Sequence, residues 1–585
     1  MKRILFLPFF AVLTTPALMA ATTWEPNDQR FSTDEGYNNP LLNGGVTDFV
    51  GNIRQVKDGN TSYTTGVINI GTYAGEGTLT IDTGITANAE NCVFIGGRGY
   101  HTTPLPEDKP ALDESDGYAG ILNVNRDAVF SNGTDKNLNT YLGAQFIVGH
   151  GNAEGTLNID GGTVNSNGGM FVVGNSEKSV GVVNITNGGI LNANLPTNIT
   201  QDAGAGWFIL GNNAGAKGTV NVEDGSKLIV SSDRSDKATL TYIGYAEGTD
   251  CAVNVSGGST VDFGSAAYIG INGKGTLKAQ DENTVIETGS LYILNASSYA
   301  GFSEGVTVNA ANDLYVVGTL ENSGSLTIGG NATFAALSST TNNGTIQAQD
   351  IYVEANAVLT NTGVLKSVGG QYGIYLFDGA AINNEGSLSG TIAGAGTIYG
   401  AGEIENLSVG SGTRLAVAAE DAPIRGMRAG NITLMEGSIT RFNVAGSTDI
   451  AVDSGADWDS GMHSIIFGDE ITIQSGALIE IVFNIDMFTL GKSTELELLL
   501  FSGSEAGNYN DLTTLMANTT FSLHGSASAR STADTLTLHS GNLSYQARDN
   551  GLYLVGSAMV TIPEPSSATL SLLALGALAA RRRRK

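Results

Sequence analysis

Short runs in which apolar and polar residues alternate recur along the chain, and each closes on glycine. The stretch INIGTYAGEGTLTIDTG (68–84) returns as FIVGHGNAEGTLNIDGGTV (146–164), FVVGNSEKSVGVVNITNGGIL (171–191) and FILGNNAGAKGTVNVEDGSKL (208–228). YIGYAEGTDCAVNVSGGSTV (242–261) and YIGINGKGTLKA (268–279) continue the series. The leading glycines Gly71, Gly96, Gly149, Gly174, Gly211, Gly244 and Gly270 stand 25, 53, 25, 37, 33 and 26 residues apart, so insertions interrupt the repeat, the largest at 101–117. Alternation of period two marks a strand with one buried face: in Leu157-Asn158-Ile159 the outer pair points inward and the asparagine outward. Glycine pairs such as Gly161-Gly162, Gly188-Gly189 and Gly257-Gly258 then supply the backbone angles of a corner.

A strand with one apolar face cannot bury itself. Stacking each on its counterpart, about 4.8 Å away, buries a continuous core. The expected fold is therefore all-β: an elongated parallel β-helix of either hand, with a C-terminal β segment and a short C-terminal hydrophobic helix. Two consequences follow from stacking. Asn123, Asn158, Asn184, Asn221 and Asn254 occupy equivalent outward positions and should hydrogen-bond as an amide ladder. Asp82, Asn125, Asp160, Thr186, Glu223 and Ser256 should form one corner column, in which carboxylates never neighbour each other because like charges at that spacing repel.

From about residue 315 the repeat shortens. LENSGSL (320–326), NNGTI (342–346), LTNTGVL (359–365) and INNEGSL (382–388) place glycines 20, 19 and 23 residues apart, the length of a coil without insertions. After about residue 412 the period fades, although 471–484 and 494–503 still read as strands. The expected organisation is a signal peptide (1–20), an N-terminal cap (21–60), β-helix repeats of about 25 residues with insertions (61–310), repeats of about 20 residues (311–411), a C-terminal β region (412–560) and a distinct tail (561–585).

Both termini depart from this pattern. Lys2 and Arg3 precede an apolar run from Ile4 to Leu13 and then small residues, the three-part pattern of a secretory signal peptide with cleavage expected near Ala20. At the other end, Pro563-Glu564-Pro565 is followed by an apolar run at 568–580 and a basic cluster at 581–585. Without these ends, Glu564 among them, 22 basic residues face 56 acidic ones and the body lies near −34. Such a body has no general electrostatic attraction for nucleic acid or anionic lipid. Two cysteines, Cys92 and Cys251, fall at unlike positions of the repeat and are expected as free, buried thiols.

The tail resembles the PEP-CTERM sorting signal of Gram-negative bacteria. The resemblance implies an exosortase-type membrane protease as partner, with Pro563, Glu564 and Pro565 as its recognition element and Arg581, Arg582, Arg583 and Arg584 as the cytoplasmic stop. It also implies transient anchoring in the inner membrane, then transfer to the cell surface, outer membrane or extracellular matrix. A helix over the apolar run reaches only about 20 Å, short of a bilayer core of roughly 30 Å, and the arginines obey the positive-inside rule. The body resembles the β-helical passenger regions of autotransporter-like surface proteins through its GTLNIDGGTV style of repeat. Those proteins end in a membrane β-barrel, so self-translocation is not expected here.

Catalytic signals are sparse. GFSEG (301–305) fits G-x-S-x-G, but no helix follows Ser303 to make the elbow. GKST (491–494) lacks the first glycine of a phosphate loop, Asp486 standing in its place. The histidines His101, His150, His463, His524 and His539 form no metal-binding pair. No cofactor is expected, and acidic loops, foremost 453–461, are the candidates for weak calcium binding. The expected function is an exported, non-catalytic β-helical rod acting as an adhesin toward glycans or cell-surface ligands. The alternative is a secreted polysaccharide-degrading glycosidase or lyase, a chemistry that β-helices also carry and that would need paired carboxylates in a cleft.

Overall fold

The computed structural model describes residues 46–97, 118–133, 144–195, 206–416, 426–444, 465–503, 511–524, 537–548 and 551–561, apart from positions 50, 56–61, 66, 72–75, 370–371, 401 and 406. The signal peptide, the helix expected in the tail, and the loop 453–461 lie outside the described residues. The chain divides into two units, residues 1–288 and 289–585.

The first unit is a parallel β-helix with three strands to a coil. One coil runs through Glu154–Asp160, Thr163–Ser166 and Met170–Val173, then starts again at Val180–Thr186. Each strand pairs in parallel with its counterpart one coil on: Leu157 with Val183, Val164 with Leu191, Phe171 with Phe208. Three rows result, here called first, second and third in the order of that coil. Inward residues of the first row, among them Leu122, Val124, Leu157, Ile159, Val183, Ile185, Val220 and Val222, are fully buried. The third row adds a stack of rings inside the coil, Phe146 on Phe171 at 4.8 Å and Phe171 on Phe208 at 5.1 Å between centroids.

Glycine is required where the third row returns to the first. Gly149 has φ +81°, and a Cβ there would stand 2.5 Å from the carbonyl oxygen of Val180 on the next coil. Gly155, which opens the first-row strand, faces the same crossing: a Cβ would meet Ile95 O at 2.1 Å and Gly149 N at 2.2 Å. Gly155 pairs with Gly120 and Gly181, and Gly181 with Gly218. Cys251 pairs with Gly275 in this glycine column, its buried sulfur lying beside Gly211. Both thiols are free; Cys251 is buried as expected, whereas Cys92 is only half-buried.

The second unit repeats the arrangement with shorter strands, as in Ser339–Asn342, Thr345–Ala348 and Ile351–Val353. Its NxG segments are the corners between first and second rows. Asn322, Asn342, Asn361 and Asn384 point inward there, fully buried, and their amides bond coil to coil at 2.8, 2.7 and 2.7 Å. Each also caps a carbonyl of the next coil's second row, as Asn342 Nδ2 does for Val364 O at 2.9 Å. Beyond residue 412 the coils continue in another form. The second and third rows merge into one long strand, Gly426–Leu434, whose two halves pair with Glu403–Glu405 and Leu407–Val409. Ile465–Ile473 pairs along that strand, while Ile439–Val444, Leu478–Asn484 and Thr519–His524 extend the first row. An antiparallel sheet ends the unit: Gly551–Thr561 pairs with Ser493–Gly503, Thr537–His539 and Ser544–Arg548. A six-residue helix, Leu512–Ala517, precedes the last first-row strand.

Candidate functional site

The outer surface of the first row in the first unit carries an unbroken amide ladder. Asn254 donates to Asn221, Asn221 to Asn184, Asn184 to Asn158 and Asn158 to Asn123, at 2.8–2.9 Å, and Asn123 donates to Thr80 Oγ1 at 3.2 Å. The five asparagines expected to stack do so.

The next column lies at the corner. Asn125 N bonds Ile81 O, Asp160 pairs with Thr186, Glu223 N bonds Ile185 O and Ser256 N bonds Val222 O, which sets Asp82, Asn125, Asp160, Thr186, Glu223 and Ser256 on one line. Asn125 Nδ2 also donates to Asp82 Oδ1 at 3.2 Å. Carboxylates alternate with neutral residues, and a like-charged pair at rung distance is avoided. The second row tolerates such a pair at Asp262 beside Glu287. Burial, and then the neighbouring Glu287 charge, hold the Asp262 carboxyl above its ordinary pKa, against the pull of the Gly264 N–H.

Period two did not reveal that the third row is apolar on its outer face too. In the first unit Phe94, Ile147, Val172, Ile209 and Tyr242 lie in register outside the coil, all buried, with Met170, Trp207, Tyr245 and Tyr268 packed against them. Trp207 meets Tyr242 edge-on at 5.5 Å, and Tyr268 stacks on Tyr242 at 5.3 Å. Burial, with the phenols of Tyr268 and Tyr245 beside it, pushes the Tyr242 hydroxyl up to about 12. In the second unit the outward position holds Tyr292, Tyr315, Tyr352 and Tyr375, with Thr333 between Tyr315 and Tyr352. The recurring apolar–Tyr–apolar triplets at 291–293, 314–316, 351–353 and 374–376 were the sequence signal for this face.

Among the described residues, the catalytic candidates are not drawn together. Ser303 sits in the turn after Tyr299–Phe302 and leads into the strand Thr307–Ala310. Lys492 lies in a turn entering Ser493–Gly503. His150 Nδ1 lies 2.9 Å from both Asn175 Nδ2 and Ser176 Oγ, and His539 Nε2 lies 2.9 Å from Thr561 Oγ1. His101 and His463 are outside the described residues. A cleft of about 380 Å³ in the second unit is lined by Glu436, Gln474, Asp511 and Leu515, among others. Its Asp511 is occupied as a helix cap, accepting from Thr513 N at 3.1 Å and Thr514 N at 3.0 Å. Among the described residues no group of three metal-ligating side chains occurs, and no helix is long and apolar enough to cross a membrane.

The sorting residues Pro563, Glu564, Pro565 and Arg581–Arg584 also lie outside the described residues. Comparison with known families speaks to them directly: residues 561–585 match the PEP-CTERM protein-sorting motif. The match covers the tail alone, and what it implies is processing by an exosortase and sorting of an exported protein to the cell surface. No curated protein matches it.

Proposed function

We propose that this chain is a non-catalytic adhesive protein of the cell surface or extracellular matrix, its β-helical coils forming a stiff carrier for the outward columns. The observation that carries the reading is the sorting motif at 561–585 joined to a body made of repeated coils. A nearest-neighbour stack folds coil by coil, which suits a chain that emerges across a membrane. Pro563, Glu564 and Pro565 serve exosortase recognition. The apolar run, too short to span comfortably, holds the precursor briefly in the inner membrane, with Arg581–Arg584 on the cytoplasmic side.

The ladders support a structural role for the outer surface. They place identical groups at regular intervals and satisfy one another, whereas a hydrolase needs two carboxylates facing across a groove. The partners are glycans or other cell-surface ligands, and no nucleic acid.

The test compares cells carrying an exosortase and either the intact chain or one ending at residue 560. Surface display and adhesion are expected from the intact chain only. Equal display by both sinks the sorting half of the reading. Release of sugar from a glycan panel by the purified chain sinks the non-catalytic half.

A further inference from the structure

In the second unit the outer face of the third row leaves aromatic surface in water. Tyr372 and Phe377 each keep 43% of their surface exposed, and Val368 beside them in sequence keeps 49%. The two rings flank Ile374–Leu376, whose outward residue Tyr375 lies 5.8 Å from Tyr372 and 5.0 Å from Phe377 between centroids. Tyr352, in register on the preceding coil, lies 6.4 Å from both Tyr372 and Tyr375. Four rings, inclined to one another by 50–72°, therefore form one aromatic platform spanning two rungs.

The platform is pre-organised. Asp350, buried at the corner below, accepts from Tyr372 N at 3.0 Å and Gly373 N at 2.7 Å, and the Tyr352 hydroxyl donates to its other oxygen at 3.4 Å. The exposed Tyr372 ring is thus carried on a pinned backbone, and little ordering remains for a ligand to impose.

Charge and area select the occupant. Residues 350–385 hold four carboxylates, Asp350, Glu354, Asp378 and Glu385, against one cation, Lys366 on the second row. Phosphate and uronate polymers are repelled by that balance. A specific protein interface needs about 1,000 Å², whereas half-exposed rings, each of about 150–250 Å² in full, offer a few hundred together. A neutral pyranose fits both limits. Its C–H face lies on the negative face of an aromatic ring, and its hydroxyls reach carboxylate and phenol acceptors at the rim.

We propose that Tyr352, Tyr372, Tyr375 and Phe377 form a stacking site for neutral, pyranose-based glycans, an inference that rests on the adhesive reading above. The test is affinity electrophoresis of the purified full-length chain through gels containing hydroxyethylcellulose, glucomannan or xyloglucan, with polygalacturonate and polylysine gels alongside. Retardation by at least one neutral glycan is expected. It should weaken at least tenfold in the Tyr372→Ala/Phe377→Ala double variant, return with Tyr372→Trp, and stay unchanged in Tyr118→Ala, a comparably exposed ring in the first unit. No retardation by any of the three, or equal retardation of the double variant, overturns the proposal. So does retardation that the double variant loses only in polygalacturonate or polylysine. A chain that is displayed and adhesive yet ignores neutral glycans removes this site and leaves the adhesive reading standing.

Discussion

Asn184 donates to Asn158 across one rung at 2.9 Å, and the same bond recurs from Asn221 to Asn184 at 2.8 Å. A slip of one residue in any first-row pairing would turn the amides inward and the buried leucines and valines outward. The ladder therefore fixes register on the outside of the coil while the apolar column fixes it within.

The two asparagine ladders differ in burial, and their energetics should differ accordingly. Water can replace the partners of the outward Asn184, so Asn184→Ala is expected to cost about 1 kcal/mol. Asn342 is fully buried, accepts from Asn322 and donates to Asn361 Oδ1 and Val364 O. Asn342→Ala strands these groups and should cost about 2–4 kcal/mol. Urea unfolding of the two variants side by side checks the order.

Glycines that look alike in sequence serve different needs. Gly188 has φ +77° but open space where a Cβ would go, so Gly188→Ala should cost only the left-handed strain, about 1–2 kcal/mol. At Gly155 the Cβ would drive into Ile95 O. Gly155→Ala should cost about 3 kcal/mol or more, because two coils must part. Thermal melts that place Gly188→Ala below Gly155→Ala would contradict this division.

The ring stack inside the third row is a further sensitive point. Phe171 contacts Phe146 and Phe208 on its two faces and is fully buried. Phe171→Ala should cost about 3–5 kcal/mol, and Phe171→Leu markedly less. Denaturant midpoints of both variants decide whether the cavity term is as large as the stack implies.

Alkaline pH should destabilise the fold through its thiols. Burial pushes both Cys92 and Cys251 up to about 11 from 9.0, against the pull of backbone N–H groups. Between those values the unfolded chain has released protons that the folded one keeps. Stability is then full below pH 9 and falls as pH rises toward 11. Melting temperatures at pH 8 and 10 should show the drop, and a Cys92→Ala/Cys251→Ala double variant should show less of it. In the native chain at pH 8, the buried Cys251 should resist alkylation and the half-buried Cys92 should react more readily than it.

How far the sequence announces all this depends on which side of a strand speaks. Asn158 and Asp160 are outward residues of a strand whose inner face is plain Leu and Ile, so period two exposes the row, the ladder and the corner column together. The third row is apolar on both faces: in Phe146-Ile147-Val148 every position is buried, and alternation carries no information about which way Ile147 points. That is why the outer apolar face of the first unit is legible only once the register is known, whereas in the second unit the triplets around Tyr352 and Tyr375 alternate and mark it. The fading of the repeat after residue 412 has a physical cause as well. Where the single strand Gly426–Leu434 replaces the second- and third-row strands, the coil loses one of its strand-to-strand breaks and the period with it.

Sorting of this β-helical body to the surface is tested most directly by the mass of its C-terminus. Mass spectrometry of the chain recovered from the outside of exosortase-bearing cells should find that the peptide carrying Arg581–Arg584 has been removed, while a Pro563→Ala/Pro565→Ala variant keeps it and stays with the inner membrane. A chain that reaches the surface with its basic end intact, or a variant that is processed and displayed like the original, would contradict the account.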